Sequence, residues 1–195
     1  NDFDIYFRNR LRWKENNLEK ANSLSDFILY GSLLNSIAIT PIVSKNKFFP
    51  LFLTNLDVIA TNGIVTNIVK EISKRERPSS YYNTISESND EAYRSFFSGH
   101  TSTTFAAWTS TATILSDSYP NKRNMIWTLA SIISLSNGYL RIAADKHYIL
   151  DVITGAAVGY TVAKLILKKN KNKSLYFKIK SKNNFSTFHI GIPLK

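Results

Sequence analysis

A chain of 195 residues with 44% hydrophobic and 13% aromatic side chains can bury one proper core, and nothing in its composition calls for more than one main domain. The absence of cysteine excludes disulfide frameworks, thiolate zinc sites and cysteine nucleophiles, and leaves the redox compartment open. A formal charge of +11, from 25 Lys and Arg against 14 Asp and Glu, favours anionic partners: phosphate, nucleic acid or anionic lipid. The start at Asn1, without Met or an apolar leader, fits a trimmed product and says nothing about targeting.

In chain order, residues 3–21 mix Phe3, Tyr6, Phe7 and Trp13 with charges at roughly helical spacing, which predicts an amphipathic helix packed across the body. Ser23 to Asp26 offer N-cap residues before an apolar helix from Phe27 to Val43, with Pro41 ending or kinking its last turn. Pro50 opens a third helix to about Ile72, which delivers the basic cluster Lys70, Lys74, Arg75 and Arg77 at its far end. Arg77-Pro78 stops it, and residues 79–95 are too long and turn-rich for an ordinary connection, reading as a lid or a plain surface excursion.

Phe96-Phe97-Ser98-Gly99-His100 then leads into a helix to about Ser116, rich in Ala, Ser and Thr and suited to close packing. Met125 to Leu140 predicts another buried helix, ending at Arg141, and Ile149 to Leu167 the last, with Gly155, Ala156, Ala157 and Gly159 permitting tight contact with a neighbour. Ser174–Ile179 and Ser186–Ile192 read as a hairpin. The expected architecture is all-α: a bundle of five or six helices over residues 1–173, followed by a small C-terminal β-hairpin or extended tail over residues 174–195. The lysines from Lys168 to Lys182 read mainly as a solubilising charge run.

The stretch from Arg141 to Asp151 carries an arginine, then His147, then a carboxylate four residues on. If the segment from Tyr148 is helical, Asp151 lies one turn from His147 and can accept a hydrogen bond from one ring nitrogen, leaving the other as base or nucleophile. Antiparallel helices reverse direction at each connection, so Lys70 and Arg77, Ser98 to His100, and Arg141 to Asp151 all fall at one end of the bundle. The loops around Lys45, Lys122 and Lys168 fall at the other. Two of the three histidines in the chain meet there with an aspartate and several cations, at no metal-ligand spacing.

These three segments resemble the signature of the type 2 phosphatidic acid phosphatase superfamily, which includes lipid phosphatases, bacterial nonspecific acid phosphatases and vanadium haloperoxidases. Its first part, Lys, six residues, Arg-Pro, is intact from Lys70 to Arg77-Pro78. Its second, Pro-Ser-Gly-His, becomes Phe97-Ser98-Gly99-His100; its third, Ser-Arg, five residues, His, three residues, Asp, becomes Leu140-Arg141, His147 and Asp151. Neither departure replaces a residue that does chemistry, although Phe97 bears on how the Ser98-Gly99 turn begins. The likeness extends back to about residue 24 in helical order and excludes the tail.

The resemblance implies phosphate binding by Lys70, Arg77, Ser98, Gly99 and Arg141, with His147 as nucleophile, Asp151 holding its tautomer, and His100 as the acid that protonates the leaving oxygen. It implies a phosphohistidine intermediate and neither a metal nor a cofactor. Lys74, Arg75, Arg94 and Asp145 lie near the motifs unmatched and read as surface charges. Tyr81, Tyr82, Tyr93, Phe96 and Phe97 border the pocket, either as an apolar wall for a lipid-like phosphate monoester or pyrophosphate or as core.

Asp57, Lys164 and many Asn, Ser and Thr residues interrupt the candidate membrane spans, which favours a soluble, exported and so periplasmic enzyme with peripheral membrane contact. The basic loops opposite the site suit the alternative, an integral protein of the cytoplasmic membrane with its site facing outward. A broad-specificity soluble acid phosphatase is the second functional reading. An anion-binding module without turnover and a haloperoxidase are more distant, and nucleic acid is disfavoured because no recognition motif is present.

Overall fold

A computed structural model describes residues 2–86 and 88–170 in full, and the backbone of Lys171 and of residues 176–182 and 185–191. Helix α1 (Asp2–Leu11) is followed by a 3-10 turn (Glu15–Asn17) and α2 (Leu18–Leu34). A π turn (Asn35–Ile39) joins α2 to the short α3 (Thr40–Val43). Pro41 therefore does not stop this helix at once: the wider turn just before it accommodates a ring with no N–H to give, and the helix runs on to Val43. Next come α4 (Phe48–Ser73), the single turns α5 (Pro78–Tyr81) and α6 (Asn89–Ala92), α7 (Gly99–Ser118), α8 (Arg123–Ala143) and α9 (Ile149–Lys171). Ser23 to Asp26 cap nothing, because α2 begins earlier, at Leu18.

Helix α7 is the hub, packed against α2, α4, α8 and α9. Its run of small residues lets neighbours approach to backbone contact. A Cβ added at Gly155 would sit 2.6 Å from the Ser98 carbonyl oxygen, and one at Gly159 only 2.0 Å from that of Ser102. Helix α9 can therefore lie this close to α7 only with glycine at both positions.

The interior is polar to an unusual degree. Asn55 and Asn62 on α4 are fully buried, where the Asn62 amide donates to Thr103 Oγ1 (3.1 Å) and its carbonyl accepts from Ser102 Oγ (2.7 Å). Asn55 donates to the Ser36 carbonyl (2.6 Å) and accepts from Ser110, while Asn137 donates to Thr104. The outward faces of the same helices are apolar: Ile64, Ile68 and Ile72 on α4, Phe27, Tyr30 and Leu34 on α2, Ile132 and Leu135 on α8, and Leu165 on α9 are exposed, Ile72 and Phe27 at 77%.

This arrangement corrects the soluble reading. Polar residues inside the candidate spans face one another across helix contacts, so they do not show that the helices face water. Among the described residues, three helical segments, Glu15–Val43, Phe48–Tyr81 and Ile149–Asn170, are long and apolar enough to cross a membrane.

The fold is all-α. The C-terminal hairpin is not supported as part of it, because Tyr176–Lys182 and Phe185–Gly191 pair with each other in antiparallel register and make no described packing contact with a helix.

The α7–α9 contact gives the first prediction. Gly159→Ala is expected to destabilise the protein by about 1–3 kcal/mol, because the clash is with main chain that has nowhere to relax. Gly31→Ala on α2, where no atom lies within 4 Å of the new methyl, should be neutral or stabilising by up to about 1 kcal/mol. Thermal unfolding of both variants in detergent checks the difference; equal midpoints would contradict the packing argument.

Candidate active site

Each predicted site residue sits at the end of a helix, and local chain geometry accounts for its position. Lys70 occupies the last turn of α4, which closes at Lys74 in a left-handed conformation (φ 42°). Arg77 is extended (φ −72°, ψ 149°), as a residue before proline must be, and Pro78 opens α5. Ser98 caps α7: its Oγ accepts from the Thr101 N–H (3.4 Å) and hydroxyl (2.9 Å), while its own N–H donates to the Asp151 carbonyl (3.0 Å). The second and third segments are thus joined through main chain.

Helix α8 ends one residue beyond Ile142, and the Arg141 carbonyl accepts from the N–H groups of both Lys146 (3.1 Å) and His147 (3.2 Å). This turn swings His147 back toward Arg141. It passes through Asp145, left-handed at φ 60° and fully buried. Asp145 accepts a two-pronged bond from Arg8 Nε and Nη2, both at 2.6 Å, a further contact from Arg12 Nε at 3.2 Å, and the Thr84 hydroxyl at 2.7 Å. Reading Asp145 as a surface charge was wrong: it holds the loop that carries His147.

The eight predicted residues do converge. His147, Asp151, Ser98, Arg77 and Arg141 are buried, with Lys70, Gly99 and His100 half-buried beside them. A Cβ on Gly99 would lie 3.2 Å from Thr66 Cγ2 and 3.7 Å from Lys70 Nζ, so the Gly99 backbone packs beside that ammonium. Burial holds the His147 pKa well below the usual histidine value, and the positive charges of Arg77, Arg141 and Lys70 push it further down. His147 is therefore a neutral imidazole ringed by cations.

One predicted bond is not made. His147 Nδ1 stands 3.8 Å from Asp151 Oδ2 and has no hydrogen-bond partner. Asp151 is instead held by Arg75 Nη1 (2.6 Å), Ser95 Oγ (2.6 Å) and the Tyr148 N–H (3.0 Å). Arg75 is thus no surface charge either, since its other prong reaches Asp4 Oδ2 (2.6 Å). Asp4 in turn accepts the Leu150 N–H at 3.1 Å, at the start of α9.

Two further groups escaped sequence reasoning. Asp26 accepts or shares a proton with His100 Nε2 at 2.6 Å and is itself held by the Asn22 amide (3.1 Å), while Arg141 Nη1 donates to Asn22 Oδ1 (2.7 Å) and Ser25 Oγ (2.8 Å). The available signal was a carboxylate at the head of an apolar run, read as a cap. Glu91 on α6 bonds Arg77 Nη2 at 2.5 Å. Lys74 and Arg94 stay peripheral, Arg94 pairing with Glu71. Of the five aromatics expected as a wall or as core, Phe97 is buried in the core, Tyr82 lies under the Arg8 guanidinium at 3.7 Å, and Tyr81 and Tyr93 are exposed. A cavity of about 580 Å³ opens beside Lys70, lined by Lys74, Asp90, Glu91, Tyr93 and Arg94.

A helical bundle gathers two histidines, a carboxylate and a cluster of cations at one end, a set of charges that favours an anion there. Comparison with known proteins gives the family. The model of the PAP2 superfamily matches residues 52–174, and the chain belongs to that superfamily. The fold is similar to that in the crystal structure of the first transmembrane PAP2 type phosphatidylglycerolphosphate phosphatase from Bacillus subtilis, with a TM-score of 0.61 and 20% identity, covering 87% of this chain and 92% of that one. No curated protein matches the sequence.

The buried neutral His147 has a consequence for stability. Its folded pKa lies below the unfolded value of about 6.5, so as pH falls beneath that value the unfolded chain takes up a proton that the folded one refuses, and stability drops. Between about pH 7 and about pH 5 the unfolding midpoint should fall, and His147→Gln should remove part of that slope. Parallel slopes for the two proteins would show that His147 is not held neutral.

Proposed function

We propose that the protein is a phosphatase that hydrolyses lipid-linked phosphate monoesters or pyrophosphates through a phosphohistidine, and that it is integral to the membrane with its site at one surface. The observation that carries the reading is a buried, neutral imidazole with an unpartnered Nδ1, surrounded by Lys70, Arg77 and Arg141 and within reach of a second histidine. Membership of the superfamily supports phosphoric ester hydrolysis. The exposed apolar faces of α2, α4, α8 and α9, together with the transmembrane structural relative, support a lipid setting.

In this mechanism the phosphoryl oxygens lie among Lys70, Arg77, Arg141, the Ser98 hydroxyl and the Gly99 N–H, which offset charge as it develops. Arg77 exchanges the Glu91 carboxylate for phosphate as substrate enters. The lone pair of His147 Nε2 forms the N–P bond while the P–O bond to the leaving group breaks, and His100 gives its proton to the departing oxygen. Charge on the phosphorylated imidazole draws Nδ1–H onto Asp151 across the 3.8 Å gap. Water then attacks phosphorus, His100 takes its proton, the N–P bond breaks, and inorganic phosphate leaves with neutral His147 restored. Asp26 fixes the His100 ring through Nε2, leaving Nδ1 for this transfer.

A second reading, broad-specificity hydrolysis of polar phosphates, is favoured by the charged cavity beside Lys70. Specificity constants for a short-chain lipid phosphate and for glycerol phosphate separate the two, a higher value for the lipid being expected. His147→Ala should abolish phosphate release from either substrate with the fold retained. Undiminished release would sink the mechanism, and tight phosphate binding by the parent protein without turnover would indicate a binding module.

Asp26 gives a sharper test. Asp26→Asn should slow hydrolysis of an alkyl phosphate by about 10-fold or more through loss of an aligned acid. p-Nitrophenyl phosphate, whose leaving group departs without a proton, should be affected much less. An equal loss on both substrates would mean that Asp26 serves only the fold.

A further inference from the structure

Helices α8 and α9 touch near the active-site end, where a Cβ on Gly138 would meet Val152 Cγ1 at 2.9 Å. Away from that contact they part over α7, and a cavity of about 510 Å³ opens between them. Its floor includes Trp108 on α7 and its sides Trp127 on α8 and Tyr160 on α9, with Arg123 and Lys164 toward the end opposite the site. Lys164 is the informative residue. It lies within a segment long and apolar enough to span a membrane, about 20 Å along α9 from Asp151 at 1.5 Å per residue. Its ammonium turns into the groove, donating to Thr113 Oγ1 at 3.1 Å and standing 4.8 Å from the Trp127 ring centroid and 5.7 Å from that of Tyr160.

A cation inside a spanning segment has to reach polar surroundings, and a lysine near a helix end does so by directing its ammonium toward the headgroup level. Here the ammonium points into a groove whose two walls are held apart. The surrounding faces carry exposed Leu129, Ile132 and Leu165, so the groove borders the apolar belt. Tryptophan and tyrosine beside cations at such a depth are the side chains that suit the boundary between headgroup and acyl chain.

We propose that the groove between α8 and α9 binds an anionic phospholipid of the leaflet opposite the active site. Its phosphate lies between Arg123 and Lys164, and the upper part of an acyl chain lies along Trp108 and Trp127. The inference rests on the membrane-spanning part of the reading above and is independent of the reaction. Arg123 and Lys164 supply two cations to one phosphate, the groove opens sideways onto lipid, and its aromatic floor takes chain methylenes. A water-soluble anion would gain nothing from that floor.

The test uses the full chain carrying Trp13→Phe, so that Trp108 and Trp127 alone report, reconstituted in bilayers of phosphatidylcholine doped with phosphatidylglycerol. Bromine is placed on the acyl chains of one lipid or the other, and tryptophan quenching is read. Brominated phosphatidylglycerol should quench in preference to brominated phosphatidylcholine, with a relative affinity of about fivefold for each cation engaged. Arg123→Gln with Lys164→Gln should bring the two lipids to parity, whereas Lys168→Gln with Lys169→Gln, which removes equal charge outside the groove, should leave the preference standing.

Equal quenching by both lipids in the parent protein overturns the proposal while leaving the membrane reading intact. So does a preference lost as fully in the Lys168 and Lys169 variant, which would indicate a diffuse basic surface. No quenching by either lipid overturns both. Should the double groove variant fail to fold, Arg123→Gln alone, at the exposed start of α8, is expected to lower the preference about fivefold, and an unchanged preference counts against the site.

Discussion

The hydrogen bond from the Ser98 N–H to the Asp151 carbonyl, 3.0 Å long, is the constraint on which the rest of the site depends. It requires the first turns of α7 and α9 to meet backbone to backbone, and the glycines at 155 and 159 make that approach possible. Two helix N-termini then point into one volume, each with N–H groups that have no partner within its own helix and a partial positive charge. An anion is favoured there before any side chain is counted. Lys70, Arg77 and Arg141 add to a field whose sign the helices have already set, and burial together with those three charges lowers the His147 pKa.

Around this centre lies a shell of paired charges that ties the N-terminal helix to the segments carrying Asp151 and His147. Asp4 joins Arg75, which joins Asp151; Arg8 and Arg12 join Asp145, two residues before His147. Asp4, Asp145 and Asp151 are all buried, and removing one member of such a pair costs about 3–5 kcal/mol because the other charge is left stranded. Arg75 also competes for the carboxylate that the resemblance gives to His147. Asp151 is satisfied by Arg75, Ser95 and Tyr148, and His147 Nδ1 stands off at 3.8 Å.

The residues legible in the sequence were those whose roles follow from position along the chain. Lys70, Arg77, Ser98, His100, Arg141, His147 and Asp151 stand at helix ends, and alternating helix direction suffices to gather them. The partners of those residues were not legible. Asp26 and His100 are 74 residues apart, Arg8 and Asp145 are 137 apart, and each pair is made by side chains crossing between elements that no local period connects. Asp26 looked like a cap and Asp145 like a loop charge because both types are common in those settings.

The polarity of the helices was also legible, but with the wrong sign. In water, an Asn or Thr within an apolar helix is expected on the outside; here Asn55, Asn62 and Asn137 are fully buried and the isoleucines of α4 face outward. Between helices in lipid, apolar side chains have little to gain by leaving one apolar medium for another, so close packing of small residues and hydrogen bonds across the interface hold the bundle together. The buried set fits that account: Ala106, Ala107, Ala112 and Ala163 outnumber the large apolar residues of the same helices, and Ser and Thr fill most of the rest of α7. Such an interior can carry polar groups the whole length of α7. The bundle can therefore carry a charged cluster at one end without a break between a greasy core and a polar pocket, and Ser98 belongs both to the packing of α7 and to that cluster.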